Sequence, residues 1–400
     1  MTEGPPNRHR HWLTRASVAL AILPLIATAC GNSGTAPAAV PGVTNQSIKI
    51  GTNNALTGPT ASACKPVSDG SAAWYDEVNS KGGIHGRKVS VDLLDDGNQA
   101  PNAVANIRQL MSDNVFAVVG GCGTAGAVAI APVAQANSIP YMFPYAAVTT
   151  LYTPPLHNVF MVIPAYSDQI KALLEYELPK LPKGNVMLVT NETPGYQDSG
   201  TNAEAATNAV GDTWLGYDHF PLGTTSYGAE AIKIAHLKVD YLAMPMGIAD
   251  GALLSKALAD TGYMPSTVIG NSVVASDQFL SPGGYLLGDH LITGSPQTLA
   301  SAPQGAECAN VLTSHGVAIN SYSMYGCAVA HIFTNALNTE GSNLTRGGLI
   351  SALESMRNVN IPGLAPVSFS PSNHLGVAAN KMLLFKIEPG TKTLQQVGAM

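Results

Sequence analysis

Short apolar runs rich in β-branched residues alternate with Ala-rich amphipathic stretches along most of this chain, and that alternation limits the folds open to it. The strand-like runs are SIKIGTNNA, KVSVDLLDD, VFAVVGG, IPYMFPY, NVMLVTN, YLAMPMG and STVIGNS. Between them lie GSAAWYDEVNS, APNAVANIRQLMSD, AVAIAPVAQANS, SDQIKALLEYELPKL, TNAEAATNAVG and GALLSKALADTG. Strand then helix, repeated, predicts an α/β fold with parallel sheets and helices on both sheet faces. Ligands in such sheets sit at the carboxyl ends of the strands.

The N-terminus predicts export. Arg8, Arg10 and Arg15 precede ASVALAILPLIATA, an apolar core of signal-peptide length that is too short and too Pro-broken to span a bilayer well. Cys30 follows the small residues Ala27, Thr28 and Ala29, a site that resembles a bacterial lipobox, although Leu is commoner where Ala27 stands. Residues 1–29 are therefore expected to be removed and Cys30 to carry lipid. Plain secretion with cleavage after Ala29 would instead leave Cys30 a free thiol. Residues 30–47, small, polar and Pro-containing, read as a flexible tether, with the folded part starting near Ile48.

About 350 residues then remain, enough for two domains. With 46% hydrophobic residues there is ample core material, and 26 acids against 20 bases leave no basic stripe for nucleic acid. Of the five cysteines, four remain once Cys30 is acylated, an even number that allows three pairings. Cys308 and Cys327 are close in sequence, and Cys64 and Cys122 both follow strand-like segments on the Gly-rich side of the first domain. Those two bridges are expected, the alternative being four buried thiols. Closing even the shorter loop is worth about 3 kcal/mol.

Residues 114–167 hold no Asp, Glu, Lys or Arg. Prolines break the stretch, and GGCG would leave backbone groups unsatisfied in lipid, so a buried strand–helix–strand unit is expected. Within it, Gly121-Cys122-Gly123-Thr124-Ala125-Gly126 fits the G-x-G-x-x-G spacing of a dinucleotide site. That site needs an acid about 20 residues further on, and none occurs between Asp113 and Asp168. The expectation that survives is a Gly-rich strand end that admits a ligand to backbone N–H groups at a helix N-terminus, with the Thr124 hydroxyl beside it. Asp95 and Asp96 fall at a strand end, where neighbours point to opposite faces, and read as a solvated loop pair rather than a catalytic one.

In order, IKIGTNNALTGPTA, the 42-residue run from GSAAWYDEVNS to NIRQLM, VFAVVGGCGTAGAVAIAPVAQANSIPYMFPYAA, SDQ and PGYQDSG resemble the solute-binding proteins of branched-chain amino-acid ABC transporters. The resemblance spans Ile48 to Ile387 and is strongest through residue 150. It implies a type I periplasmic binding protein: two Rossmann-like lobes joined by three crossovers, closing on a small molecule. Lobe 1 would take residues 48–165 and 294–365, lobe 2 residues 166–293 and 366–400. It further implies a monomer without cofactor or metal that hands its solute to an ABC permease, with lipid as its one membrane attachment.

In amino-acid binders of this kind the ligand head is held by a hydroxyl after the first Gly-rich strand, a Thr after the next strand and a Glu in the second lobe. Here Gly123 and Thr124 stand at the first position, Ala147 replaces the Thr, and Asn271 falls at or beside the Glu. A first-lobe Tyr becomes Ala63 and a second-lobe Tyr becomes Gly247, whereas Tyr196 matches a pocket Tyr. The small residues are expected to enlarge the cleft, and an amide cannot neutralise an ammonium as a carboxylate does. The expected ligand is therefore an amide, a carboxylic acid or an aromatic or alicyclic compound rather than a simple branched-chain amino acid. Asp250 or Asp277 could restore the missing acid. Tyr145, Met244, Met246 and Tyr325 are expected to offer apolar surface, although core packing explains each as well.

Enzyme readings have little support. G-x-S-x-G is absent, Ser226 in GTTSYG is wrongly placed, and the histidines lack zinc spacing. A lipoprotein sensor that reports lobe closure to a membrane partner is the other non-catalytic alternative.

Overall fold

The computed structural model describes residues 39–388 and 390–400. The expected signal peptide, Cys30 and the first part of the tether lie outside the described residues. The first sheet is built from β1 (Ser47–Asn54), β2 (Lys88–Asp95), β3 (Val118–Val119), β4 (Tyr141–Met142) and β5 (Val159–Phe160), all parallel, in the order β2-β1-β3-β4-β5. Ile48 and Ile50 make β1 a buried central strand, while Val91 and Leu93 on β2 are exposed, as an edge strand allows. Helices α1 (Ala61–Ser80), α2 (Ala100–Ser112) and α3 (Thr124–Ala136) connect the strands. The charge-free stretch thus folds as the expected buried unit.

The chain crosses at Pro164 into α4 (Tyr166–Glu177) and builds a second sheet from β6 (Asn185–Asn191), β7 (Thr213–Phe220), β8 (Tyr241–Met244), β9 (Thr267–Gly270) and β10 (Leu291–Ser295). Helices α5 (Ser199–Val210), α6 (Gly228–Leu237), α7 (Ile248–Thr261) and the short α8 (Asp277–Leu280) intervene. A second crossing leads to α9 (Ala306–Ser314), α10 (Ser321–Glu340) and α11 (Arg346–Glu354), which cover the first sheet; α10 lies along α1, where the Trp74 indole donates to Thr334 at 3.0 Å. A third crossing brings β11 (Leu383–Ile387) and β12 (Leu394–Ala399) antiparallel onto the edge of the second sheet, whose order is β12-β11-β10-β9-β8-β6-β7. Two α/β lobes joined by three crossings is the expected fold class.

Two segments pack differently from expectation. Val40 and Val43 already lie against the first-lobe core, and the Lys49 N–H donates to the Gly42 carbonyl at 2.7 Å, so ordered chain begins inside the stretch read as tether. Val367, Phe369 and Val377 also belong to that core, and the Gly376 N–H donates to the Met161 carbonyl at 2.8 Å, so the chain stays with the first lobe beyond residue 365. Both segments hold apolar residues that a sheet face nearby can bury, which composition alone does not reveal. Cys64 is bonded to Cys122, tying the first turn of α1 to the segment after β3, and Cys308 is bonded to Cys327, tying α9 to α10.

Candidate functional site

In each sheet the strand order reverses once, between β1 and β3 in the first lobe and between β6 and β8 in the second. Helices leaving on opposite faces at such a point open a crevice at the carboxyl ends of the strands. The segment 120–124 stands at the first crevice, and Asn191 with Met246 and Gly247 at the second.

The Gly-rich turn is shaped by its protein neighbours. A Cβ on Gly121 would lie 1.9 Å from the Asn53 carbonyl oxygen, one on Gly123 2.7 Å from Asn98 Oδ1, and one on Gly126 2.2 Å from Asp96 Oδ2. These glycines therefore admit β1 and the loop after β2. The Asp95–Asp96 pair is also not uniformly solvated. Asp95 is exposed and accepts from the Thr57 hydroxyl at 2.7 Å and the Leu56 and Gly97 N–H groups at 2.8 and 2.9 Å, bonds that hold its carboxyl below the ordinary range. Asp96 is buried, accepts from Asn53 Nδ2 at 2.6 Å and the Asn98 N–H at 2.7 Å, and has its carboxyl pushed up by burial.

From Thr124, at the start of α3, a line of side chains runs into the second lobe. The Thr124 hydroxyl lies near the Tyr166 phenol at the start of α4. The Tyr166 ring meets Tyr196 edge-on with centroids 4.8 Å apart, and the Tyr196 hydroxyl accepts from Asn271 Nδ2 at 3.0 Å. Beside this line, Tyr145 after β4 packs 5.0 Å from Tyr322 and 4.9 Å from Tyr325, both on α10, near Gln297 of the second crossing. Burial pushes the phenols of Tyr145, Tyr166, Tyr196, Tyr322 and Tyr325 well above their ordinary range, so all are neutral. Asp250 is the one carboxylate that acts on them, through Tyr196, and among the described residues no cationic side chain contributes to their shifts.

The lobes touch across this site. Tyr196 and Val273 of the second lobe are part of the first-lobe core, and a Cβ on Gly195 would lie 2.7 Å from the Ala147 carbonyl oxygen. Ala147 is fully buried, and its carbonyl faces the loop of Gly195 and Tyr196. Gly247 differs: a Cβ there would meet only Asn191 Nδ2 at 3.7 Å and Asp250 Oδ2 at 3.8 Å, ordinary contacts that leave space. Ala63, half-buried in the first turn of α1, packs against the first-lobe core.

Of the two candidate replacement acids, Asp250 is already held by protein donors. Asp250 accepts from the Tyr227 hydroxyl at 2.7 Å and Asn191 Nδ2 at 2.8 Å, and it stands in the first turn of α7, where the helix dipole favours an anion. Asp277 is exposed at the start of α8. Met244 and Met246 are fully buried in the second-lobe core, and the Tyr325 hydroxyl bonds the Phe143 and Pro144 carbonyls at 3.1 and 3.3 Å, so all three are core residues rather than ligand surface.

Tyr166, Tyr322, Gln297 and Gln169 were not legible as site residues. Gln169 donates to the Pro164 carbonyl at 2.7 Å and accepts from the Ser272 N–H at 2.8 Å, linking the first crossing to the loop after β9. Its place in the SDQ segment was the one signal available.

A family model described as periplasmic binding protein matches residues 47–392. A Leu/Ile/Val-binding protein of Rhizobium johnstonii is 25% identical over 344 residues, covering 86% of this chain and 92% of its own. A Leu/Ile/Val-binding protein homologue of Brucella melitensis is 25% identical over 306 residues, covering 76% and 83%. Among solved structures, a branched-chain amino acid ABC transporter protein from Thermus thermophilus with bound valine superposes with a TM-score of 0.79 at 18% identity, covering 89% of this chain and 97% of its own. A fatty acid ABC transporter substrate-binding protein from Thermomonospora curvata gives 0.76 at 22% identity, covering 90% and 93%. Proteins of this family bind small-molecule ligands outside the cytoplasm and work with ABC transporters. The match to nearly the whole folded chain, on a two-lobed scaffold with its cleft at paired switch points, places this chain in the periplasmic binding protein family.

Proposed function

We propose that the chain is the solute-binding lipoprotein of an ABC importer, a monomer held to the outer face of the membrane by lipid on Cys30 and acting without catalysis. A small organic solute bound between the lobes is handed in the closed form to the permease, while the tether keeps its carrier nearby. Lobe 1 would comprise residues 48–165 and 294–365, extended by the segment up to Val377 that packs on it, and lobe 2 the rest. Thr124, Tyr145, Tyr196 and Asn271 would contact the solute, with Gly123, Ala147, Ala63 and Gly247 shaping the cleft.

The observation that carries the ligand reading is the bond from Asn271 to Tyr196 where an acid would be needed for an ammonium, with Asp250 already held by Asn191 and Tyr227. A simple branched-chain amino acid would leave its ammonium buried without a counter-charge, which is costly. An amide, a carboxylic acid or an aromatic or alicyclic compound avoids that cost. A thermal-shift screen of the purified chain tests this, because a ligand at about a hundredfold its Kd stabilises by about 2.7 kcal/mol. A shift with leucine, isoleucine or valine overturns the ligand reading; a shift confined to compounds without an ammonium supports it.

A further inference from the structure

We infer that the cleft selects an uncharged solute carrying hydroxyl or carboxamide groups beside a flat ring, and that Asn271 and Ser272 read those groups. This rests on the solute-binding reading and narrows its ligand class to exclude carboxylic acids.

Asn271 is fully buried, and while its Nδ2 is bonded to Tyr196, its Oδ1 has no partner among the described residues. Ser272 is 3% exposed, its N–H is taken by Gln169, and its hydroxyl likewise lacks a partner. Two adjacent unsatisfied polar groups at the end of β9, joined through Tyr196 to the first lobe, are a cost to the protein unless something bonds them. A hydroxyl or carboxamide can donate to the Asn271 oxygen and exchange bonds with the Ser272 hydroxyl.

Charge weighs against the ionic alternatives. Of the helices that open at the two switch points, α3 and α7 have a protein carboxylate at their first turn: Asp96 against Gly126 for α3, and Asp250 within α7. A ligand carboxylate would find those positive helix ends occupied by like charge and no cation to replace them. A ligand ammonium would face neutral phenols and an Asp250 that already accepts two hydrogen bonds. The rings of Tyr145, Tyr166 and Tyr196, packed on one another and on Tyr322, supply neutral aromatic surface beside these groups.

Isothermal titration of the full chain with matched probes tests this: nicotinamide against nicotinate, benzyl alcohol against benzylamine and benzoate, and myo-inositol against glucuronate. The expected result is a neutral member that binds at least about tenfold more tightly than its charged partner. Asn271→Leu and Ser272→Ala should each weaken that binding, and the melting temperature of each variant checks folding; Tyr196→Phe serves if Asn271→Leu does not fold. A charged member binding as tightly as its neutral partner overturns this inference and leaves solute capture standing. No binding by any neutral member at about 10 mM, well above the range of ordinary solute affinities, also overturns it. No binding by any member removes both this inference and the solute-binding reading of the cleft.

Discussion

The Asp96 carboxylate lies so close to Gly126 that a Cβ on Gly126 would stand 2.2 Å from Asp96 Oδ2. The third glycine of the Gly-rich turn thus serves a buried acid from the preceding loop. Gly126→Ala should cost about 1–3 kcal/mol, the range for forcing extra volume into a packed site. The cost should shrink when Asp96→Ala removes the obstructing oxygen. Chemical denaturation of both single variants and the double variant measures this; additive losses would mean that the two residues do not meet.

The two disulfides should differ in consequence. Cys64–Cys122 spans 58 residues and Cys308–Cys327 spans 19, so the loop-entropy model assigns them about 4 and about 3 kcal/mol. Cys122 stands two residues before Thr124, whereas the second bridge joins α9 to α10 at residues that make no part of the Gly-rich turn. Replacing Cys64 and Cys122 by Ser should lower both melting temperature and solute affinity; replacing Cys308 and Cys327 should lower melting temperature alone. Equal effects on affinity would remove any special role for the first bridge.

Strand and helix order was legible because each element carries its own period of apolar residues, and those periods survive in a linear reading. The Gly-rich turn was legible as a special backbone segment, but its partners were not. Asn53, Asp96 and Asn98 come from other strands and loops, and nothing local shows that their atoms fill the space the glycines leave. Met244 and Met246 looked like cleft surface because they follow a strand, yet they pack inward; the side of a strand end is set by the sheet it joins. Tyr322 and Gln297 meet Tyr145 only after two crossings, so their association is a property of the topology. Asn271 was legible through family resemblance, and its unsatisfied oxygen only through the fold.

Glu230 makes the second lobe sensitive to pH. Burial, then the neighbouring Asp218, push its carboxyl up to about 7, against the nearby Lys233 that is paired with Asp218. The folded protein therefore binds a proton more tightly here than the unfolded chain does. That contribution to stability is full below the ordinary carboxylate pKa, about 4.5, and is lost as pH rises through about 7. Glu230→Gln should flatten the fall in melting temperature between those values and raise it by a few degrees at about pH 8. An unchanged pH profile would show that Glu230 does not carry the slope.

Gly195 should control closure. It has φ +101°, a conformation L side chains rarely adopt, and a Cβ there would lie 2.7 Å from the Ala147 carbonyl oxygen and 2.9 Å from a Val148 methyl, both across the cleft. The first effect strains the loop whether the lobes are open or shut; the second acts only when they meet. Gly195→Ala should therefore lower the closed population more than it lowers overall stability. Apparent affinity scales with the fraction of binding-competent protein, so a fall in that fraction to about a tenth raises Kd about tenfold. Titration gives the affinity, and small-angle scattering with bound solute reports whether the lobes still shut. A variant that binds as tightly as the parent and scatters as compactly would mean that the loop of Gly195 yields on closing, and that other contacts between the lobes, such as the bond from the Tyr166 N–H to the Ala147 carbonyl, hold them together.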